Sequence, residues 1–334
     1  MEGLNFQWHL TRNCNLRCLH CYQESYSAAF PPGHLQDRAK RLLQDLEKRS
    51  VHTRINLTGG EPLLLGGDLV SLVSLLDSHP LVEELSLITN GTLLDHTWLG
   101  VLRKYSKLTT IKVSLEGGTE SANDVIRGKG VFRRVLRALE LLQQDGSFRT
   151  VVMFTVQRGN MQELQNMFGL IQAGNADGLI LERFIPEGRG REMKESTLRR
   201  EDWREITRAV AHWAGIDSHV MLLFPYRAYW LQEYPTREVM GATCDIGHSL
   251  CILDDGSAYP CRRFLLKLGN IFEDGLWEVY ESADILRKVR TRSSLSGRCG
   301  TCTVANCFGC RALGYSLYRD PFAEDFHCPL GNEE

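Results

Sequence analysis

The chain has 334 residues, 43% of them hydrophobic and 24% charged, with a formal net charge of −2 and a pI near 6.6. This is the make-up of a globular enzyme of about two domains, with no electrostatic reason to expect nucleic acid or an anionic membrane as partner. No apolar run approaches the roughly 18 residues needed to cross a bilayer, and the first eleven carry neither a basic nor an apolar signal region. A reducing cytoplasm is the expected compartment, where clustered cysteines bind metal more often than they form disulfides.

Along the first 190 residues, strand-like and helix-like segments alternate. The predicted strands are residues 4–10, 52–57, 84–89, 109–115, 150–156 and 178–184. Helical patterns lie between them at residues 35–48, 69–77, 95–105, 131–144 and 161–173. Such repetition predicts an α/β fold with a mostly parallel sheet, either a partial barrel or an open doubly wound sheet.

The first strand runs into Cys14-Asn-Leu-Arg-Cys18-Leu-His-Cys21. Three thiolates are one fewer than the four that close a four-iron cubane, so one iron would stay open to an outside ligand. A zinc knuckle is the plainer alternative, although zinc favours two close pairs over a triplet. The second strand ends in Thr58-Gly59-Gly60-Glu61-Pro62, which alone would be only a turn. Later strands end at Thr89-Asn90-Gly91 and Val113-Ser114-Leu115-Glu116-Gly117, and Ile126-Arg127-Gly128 follows.

Residues 186–234 are less regular. They hold Gly188-Arg189-Gly190-Arg191, a helix near residues 200–213, and two aromatic pairs, Phe224 with Tyr226 and Tyr229 with Trp230. Packing between domains is the commoner use of such aromatics. The expected organisation is a core over residues 1–195, a bridge over 196–240 and a cysteine-rich domain over 241–334.

That last part holds Cys244, Cys251, Cys261, Cys299, Cys302, Cys307, Cys310 and Cys328. Asp254-Asp255-Gly256 predicts a hairpin that brings Cys251 and Cys261 together. The two CxxC pairs beyond it would suit a zinc ribbon if they stood alone. Eleven cysteines divide as three, four and four: one open cluster and two closed ones.

CxxxCxxC followed by a strand and GGEP resembles the radical SAM superfamily, and the C-terminal cysteine array resembles its SPASM extension. The resemblance covers nearly the whole chain. It implies a partial (β/α)6, TIM-like barrel followed by a small SPASM domain. It also implies one S-adenosylmethionine-binding 4Fe-4S cluster on Cys14, Cys18 and Cys21, with two auxiliary 4Fe-4S clusters. The implied assignment is interleaved: Cys244, Cys251, Cys261 and Cys310 for the first auxiliary cluster, Cys299, Cys302, Cys307 and Cys328 for the second. Both inner gaps of the quartet are one residue shorter than is usual there. Gly59, Gly60 and Glu61 would receive the methionyl ammonium and Pro62 would fix their turn, while Asn90 would meet the ribose, Ser114 would be a further cofactor contact, and Arg127 would pair with the methionyl carboxylate. His20 is expected to pack over the cluster without ligating it.

The implied activity is reductive cleavage of S-adenosylmethionine to a 5′-deoxyadenosyl radical, with an electron donor such as flavodoxin or ferredoxin. A peptide or protein is the first expected substrate and a tetrapyrrole the second. A sulfatase-maturing role is disfavoured because Cys261 is followed by Arg262, where that family has an aspartate base. A non-catalytic iron–sulfur carrier is the remaining alternative; it needs neither GGEP nor an open iron.

Overall fold

The computed structural model describes residues 3–27, 33–221, 228–233, 235–242 and 245–330. Cys244, Phe224 and Tyr226 lie outside the described residues. Six parallel strands form the centre: β1 (Asn5–His9), β2 (Thr53–Thr58), β3 (Val82–Thr89), β4 (Leu108–Ser114), β5 (Arg149–Val156) and β6 (Gly178–Arg183). The crossovers carry α1 (His34–Glu47), α2 (Gly67–Ser78), α3 (His96–Leu102), α4 (Glu120–Arg127), α5 (Val131–Asp145) and α6 (Leu164–Gln172). All six strands lie where the alternation predicts them, and the arrangement is the partial (β/α)6 barrel.

The sheet continues at both edges. β7 (Ala228–Gln232) pairs antiparallel with β6, and β8 (Glu238–Ala242) with β7. Part of the stretch expected to bridge domains therefore belongs to the barrel sheet. At the other edge β9 (Ser249–Ile252) runs parallel to β1, and β10 (Ser257–Tyr259) and β11 (Gly269–Asn270) follow antiparallel. β9 and β10 are the hairpin predicted around Asp254-Asp255-Gly256, and Gly256 takes φ +88°, as a tight hairpin turn favours. Tyr229 stacks on Trp203 at 5.2 Å and shares a 2.7 Å hydrogen bond with Thr207, so it packs the outer layer.

Alternation along the strands divides apolar from polar faces. Phe6, Trp8, Ile55, Leu57, Leu85, Leu87, Ile111 and Val113 are buried against the helices. Gln7, Asn56, Lys112, Ser114, Met153 and Glu182 alternate with this apolar set and are only half-buried. Closed barrels usually fill this space with branched apolar side chains. Here it stays polar, which suits a barrel that admits a ligand.

α4 is a helix the sequence pattern missed, because eight residues are shorter than the window in which helical periodicity shows, and one of its three apolar residues, Val125, faces solvent. Its ends are nevertheless marked: the Thr119 hydroxyl accepts from Ala122 N–H, and Gly128 stops it at φ +107°.

The C-terminal segment is held to β6 by a buried, two-pronged ion pair. Arg183 donates through both terminal nitrogens to Asp325 at 3.0 Å, and Asp325 also accepts from the Cys310 and His327 amides. Removing one partner leaves a buried charge uncompensated. Asp325→Ala is expected to lower unfolding stability by about 3–5 kcal/mol in chemical denaturation. A wild-type midpoint would show that the pair does not hold the two parts together.

Candidate active site

The cluster loop leaves β1 and is stitched to the GGEP loop backbone to backbone. Gly60 N–H donates to Thr11 O at 2.7 Å, and Glu61 N–H to Asn13 O at 2.8 Å. Gly59 sits at φ +149°, and a Cβ there would lie 2.6 Å from Thr11 O. A Cβ on Gly60 would collide with the Asn13 carbonyl. The two glycines thus let one loop lie against the other.

Glu61, expected to meet the methionyl ammonium, already has partners within the protein. It is fully buried, and its oxygens accept from Leu63 N–H at 3.1 Å, Thr89 Oγ1 at 2.7 Å and Asn90 N–H at 2.8 Å. Burial pushes its pKa above the usual carboxylate range, against the opposing pull of those donors. Glu61 braces the loop against the end of β3. Pro62 is buried at the start of a 3-10 turn, Pro62–Leu65.

Other elements hold the far side of the cluster loop. Leu19 N–H donates to Ile126 O at the end of α4, and Gly190 N–H to Cys21 O. Arg189 reaches the Arg17 carbonyl at 2.7 Å, while Gly188 (φ +60°) lies directly against the Tyr22 carbonyl. The glycine-containing run after β6 is therefore a clamp on the cluster loop. Within that loop, Leu16 N–H and Gln23 N–H donate to Cys14 Sγ and Cys21 Sγ at 3.4 Å.

Cys14, Cys18, Cys21, Gly59, Gly60, Asn90, Ser114 and Arg127 all line one cavity at the carboxyl ends of the strands. Asn90 is tied locally, donating to Asn15 Oδ1 at 2.8 Å and accepting from Thr92. Arg127 is buried and donates to Glu116 at 3.0 Å. Glu116 also meets His20 Nε2 at 3.1 Å and accepts from Thr155 N–H. Burial alone would raise the Glu116 pKa, but His20, Arg127 and Thr155 together bring it below the usual range. His20 is thus engaged by a carboxylate beside the thiols. Burial pushes the Cys14 thiol up to about 11, so binding a metal there would displace a proton.

Cys299, Cys302, Cys307 and Cys328 line a second cavity. Cys310 does not; it is buried, and with Cys261 it lies near Arg263. Across the hairpin Cys251 pairs with Tyr259, two residues before Cys261. Among the described residues, no three His, Cys, Asp or Glu side chains are gathered as a single metal ion requires.

Cysteine spacing pointed to the thiols but not to the other walls of the first cavity. His9, Tyr22, Glu182, Arg262 and Arg263 also line it. The available signals were position alone: His9 ends β1, and Arg262 and Arg263 follow a cysteine of the hairpin. The residues present fit an open iron–sulfur cluster with an organic co-ligand: three thiols, two with backbone donors, beside a backbone cradle and a polar lumen. Gly60→Ala is expected to slow S-adenosylmethionine cleavage by on the order of a hundredfold, the cost of about an ångström of misplacement. Gly67→Ala, with open space around its Cβ position, serves as the control. Equal rates in an anaerobic cleavage assay would separate the stitch from the chemistry.

The sequence profile of the radical SAM superfamily matches residues 8–171, and that of the SPASM iron-sulfur cluster-binding domain matches residues 244–303. An AdoMet-dependent heme synthase of Methanosarcina barkeri is 29% identical over 96% of this chain and 95% of its own. A mycofactocin maturase, MftC, of Mycobacterium ulcerans is 29% identical over 88% of this chain and 79% of its own. Among solved structures, native anSMEcpe with bound AdoMet and Cp18Cys peptide superposes with a TM-score of 0.74 at 21% identity, covering 98% of this chain and 94% of that one. Streptococcus suis SuiB bound to precursor peptide SuiA gives 0.71 at 16% identity, over 98% and 76%. These two establish likeness of fold. With both profiles matched in order, the chain belongs to the radical SAM superfamily and carries a C-terminal SPASM domain.

Proposed function

We propose that this enzyme cleaves S-adenosylmethionine reductively and uses the resulting radical to take hydrogen from a substrate held at the barrel mouth. The observation that carries this reading is the single cavity shared by Cys14, Cys18 and Cys21 with Gly59, Gly60, Ser114 and Arg127. The chemistry supplied there, when cluster and S-adenosylmethionine are bound, is cleavage of the sulfonium to a 5′-deoxyadenosyl radical. Cys14, Cys18 and Cys21 would hold the cluster, and Leu16 and Gln23 amides orient two of the thiols. Arg127, already paired with Glu116, offers positive charge beside Cys18 and Cys14. Glu61 keeps the GGEP loop in place from beneath.

Two auxiliary clusters complete the reading. The common cavity of Cys299, Cys302, Cys307 and Cys328 supports one set of four. Cys261 and Cys310 near Arg263, with Cys251 near Cys261 across the hairpin, support the other set, with Cys244 proposed as its fourth member. Closed sets of four leave no vacancy for substrate, so they would relay electrons. A flavodoxin or ferredoxin is the proposed external donor, in the cytoplasm; no described helix is long and apolar enough to cross a membrane.

For the substrate, a tetrapyrrole side chain comes first. Heme synthase relatives match this chain from end to end, and an Fe-coproporphyrin III synthase of Methanosarcina barkeri is 27% identical over 98% of it. A peptide, preferred on sequence alone, is the second reading, favoured by the mycofactocin maturases.

Anaerobic, reduced, reconstituted protein is expected to form 5′-deoxyadenosine, and joint replacement of Cys14, Cys18 and Cys21 by alanine to abolish it, by liquid chromatography. Product from the triple variant would remove those thiols from their role. Incubation with Fe-coproporphyrin III should give a modified porphyrin by mass spectrometry, accompanied by 5′-deoxyadenosine. An unchanged porphyrin beside a modified precursor peptide would reverse the order of substrates.

A further inference from the structure

Five side chains of the first cavity keep a buried polar atom without a hydrogen-bond partner, His9, His20, Tyr26, Arg127 and Arg262, and of these His20 and Arg127 already meet Glu116 while Tyr26 lies beside Cys21. His9, at the end of β1, is 8% exposed, and neither ring nitrogen has a hydrogen-bond partner. Arg262 is 9% exposed; it donates to the Tyr22 carbonyl at 3.2 Å, while its Nε has no partner. Both line the cavity that holds the three N-terminal thiols. A buried donor left unpaired is destabilising, so His9 and Arg262 belong where a ligand completes them.

The other charges of this cavity are matched within the protein. Glu116 is met by His20 and Arg127, and Glu182 by Arg263. Arg262 has no ion-pair partner among the described residues. The pair also acts on itself: burial first, and then the nearby Arg262 charge, holds the His9 pKa well below its ordinary value. A neutral imidazole carries one N–H donor, and guanidinium offers a planar fork without an acceptor. An acceptor-only anion is complementary to that combination, and a carboxylate suits the fork in shape as well as in charge.

We infer that His9 and Arg262 form a carboxylate-binding subsite that anchors the substrate of this cavity. The assignment rests on the radical SAM reading of the same cavity and narrows the substrate to one bearing a carboxylate. The same chemistry is offered by a propionate of a tetrapyrrole and by an acidic side chain of a peptide. His9 and Arg262 act here as specificity residues, and their role is read in binding.

The test uses the reconstituted full chain and two pairs of probes. One pair is Fe-coproporphyrin III and its tetra-amide; the other is a peptide containing aspartate and glutamate, and its asparagine and glutamine counterpart. Wild-type protein is expected to bind the acid of one pair at least roughly tenfold more tightly than its amide, a difference of about 1.4 kcal/mol. Whichever pair shows it identifies the source of the carboxylate. His9→Phe and Arg262→Gln are expected to lose the preference, while His9→Gln and Arg262→Lys keep part of it. Equal binding of acid and amide in both pairs overturns the inference, as does a preference that survives in His9→Phe and Arg262→Gln. Arg262→Gln that loses iron yet keeps the preference assigns Arg262 to the auxiliary cluster, and overturns it too. Wild-type 5′-deoxyadenosine formation is measured separately: its absence, with the acid preference intact, sinks the radical reading and leaves the subsite standing.

Discussion

The site depends on a short backbone stitch between two loops at adjacent strand ends. Gly60 and Glu61 amides donate to the Thr11 and Asn13 carbonyls just before the first cysteine, and the Glu61 carboxylate ties the same turn to the end of β3. Three strand ends are thereby fixed relative to one another by groups that water cannot reach. Such bonds are worth most where the alternative is an unpaired buried group. Placing a thiol array beside a backbone cradle follows directly from β1 and β2 being parallel neighbours.

A second constraint comes from the far side of the cluster loop. α4 and the run Gly188-Arg189-Gly190 each hold one of its carbonyls or amides, so the loop is held from both sides. Charge is arranged with similar economy. Glu116 neutralises Arg127 and also meets His20 beside the thiols, and Asp325 neutralises Arg183 between barrel and C-terminal segment. Buried arginines therefore stand near all three sets of cysteines: Arg127, Arg263 and Arg311, the last donating to Cys299 Sγ at 3.3 Å. Cationic neighbours of this kind favour the thiolate form that metal binding needs.

Much of this was legible in the sequence, for a physical reason. Outer faces of β1 to β6 must be apolar to pack on helices, so period-two patterns located all six strands to within one or two residues. The cysteine triplet and GGEP were legible because chemistry and close approach each allow few residue types. α4 was hidden because eight residues are too short a window for helical periodicity to show, although a cap marks each end. β7 and β8 were hidden because they extend an existing sheet and need little pattern of their own. The role of Glu61 could not be read, since a carboxylate that braces a loop and one that binds a ligand look alike in sequence. His9 and Arg262 carry no motif; only the fold brings them to one cavity.

The most direct measurement is Mössbauer spectroscopy of protein reconstituted with ⁵⁷Fe, recorded with and without S-adenosylmethionine. The account predicts that one iron of a single cubane changes its spectrum when S-adenosylmethionine is added, while the other clusters do not respond. A spectrum in which no iron responds, or zinc found on Cys14, Cys18 and Cys21, would contradict it.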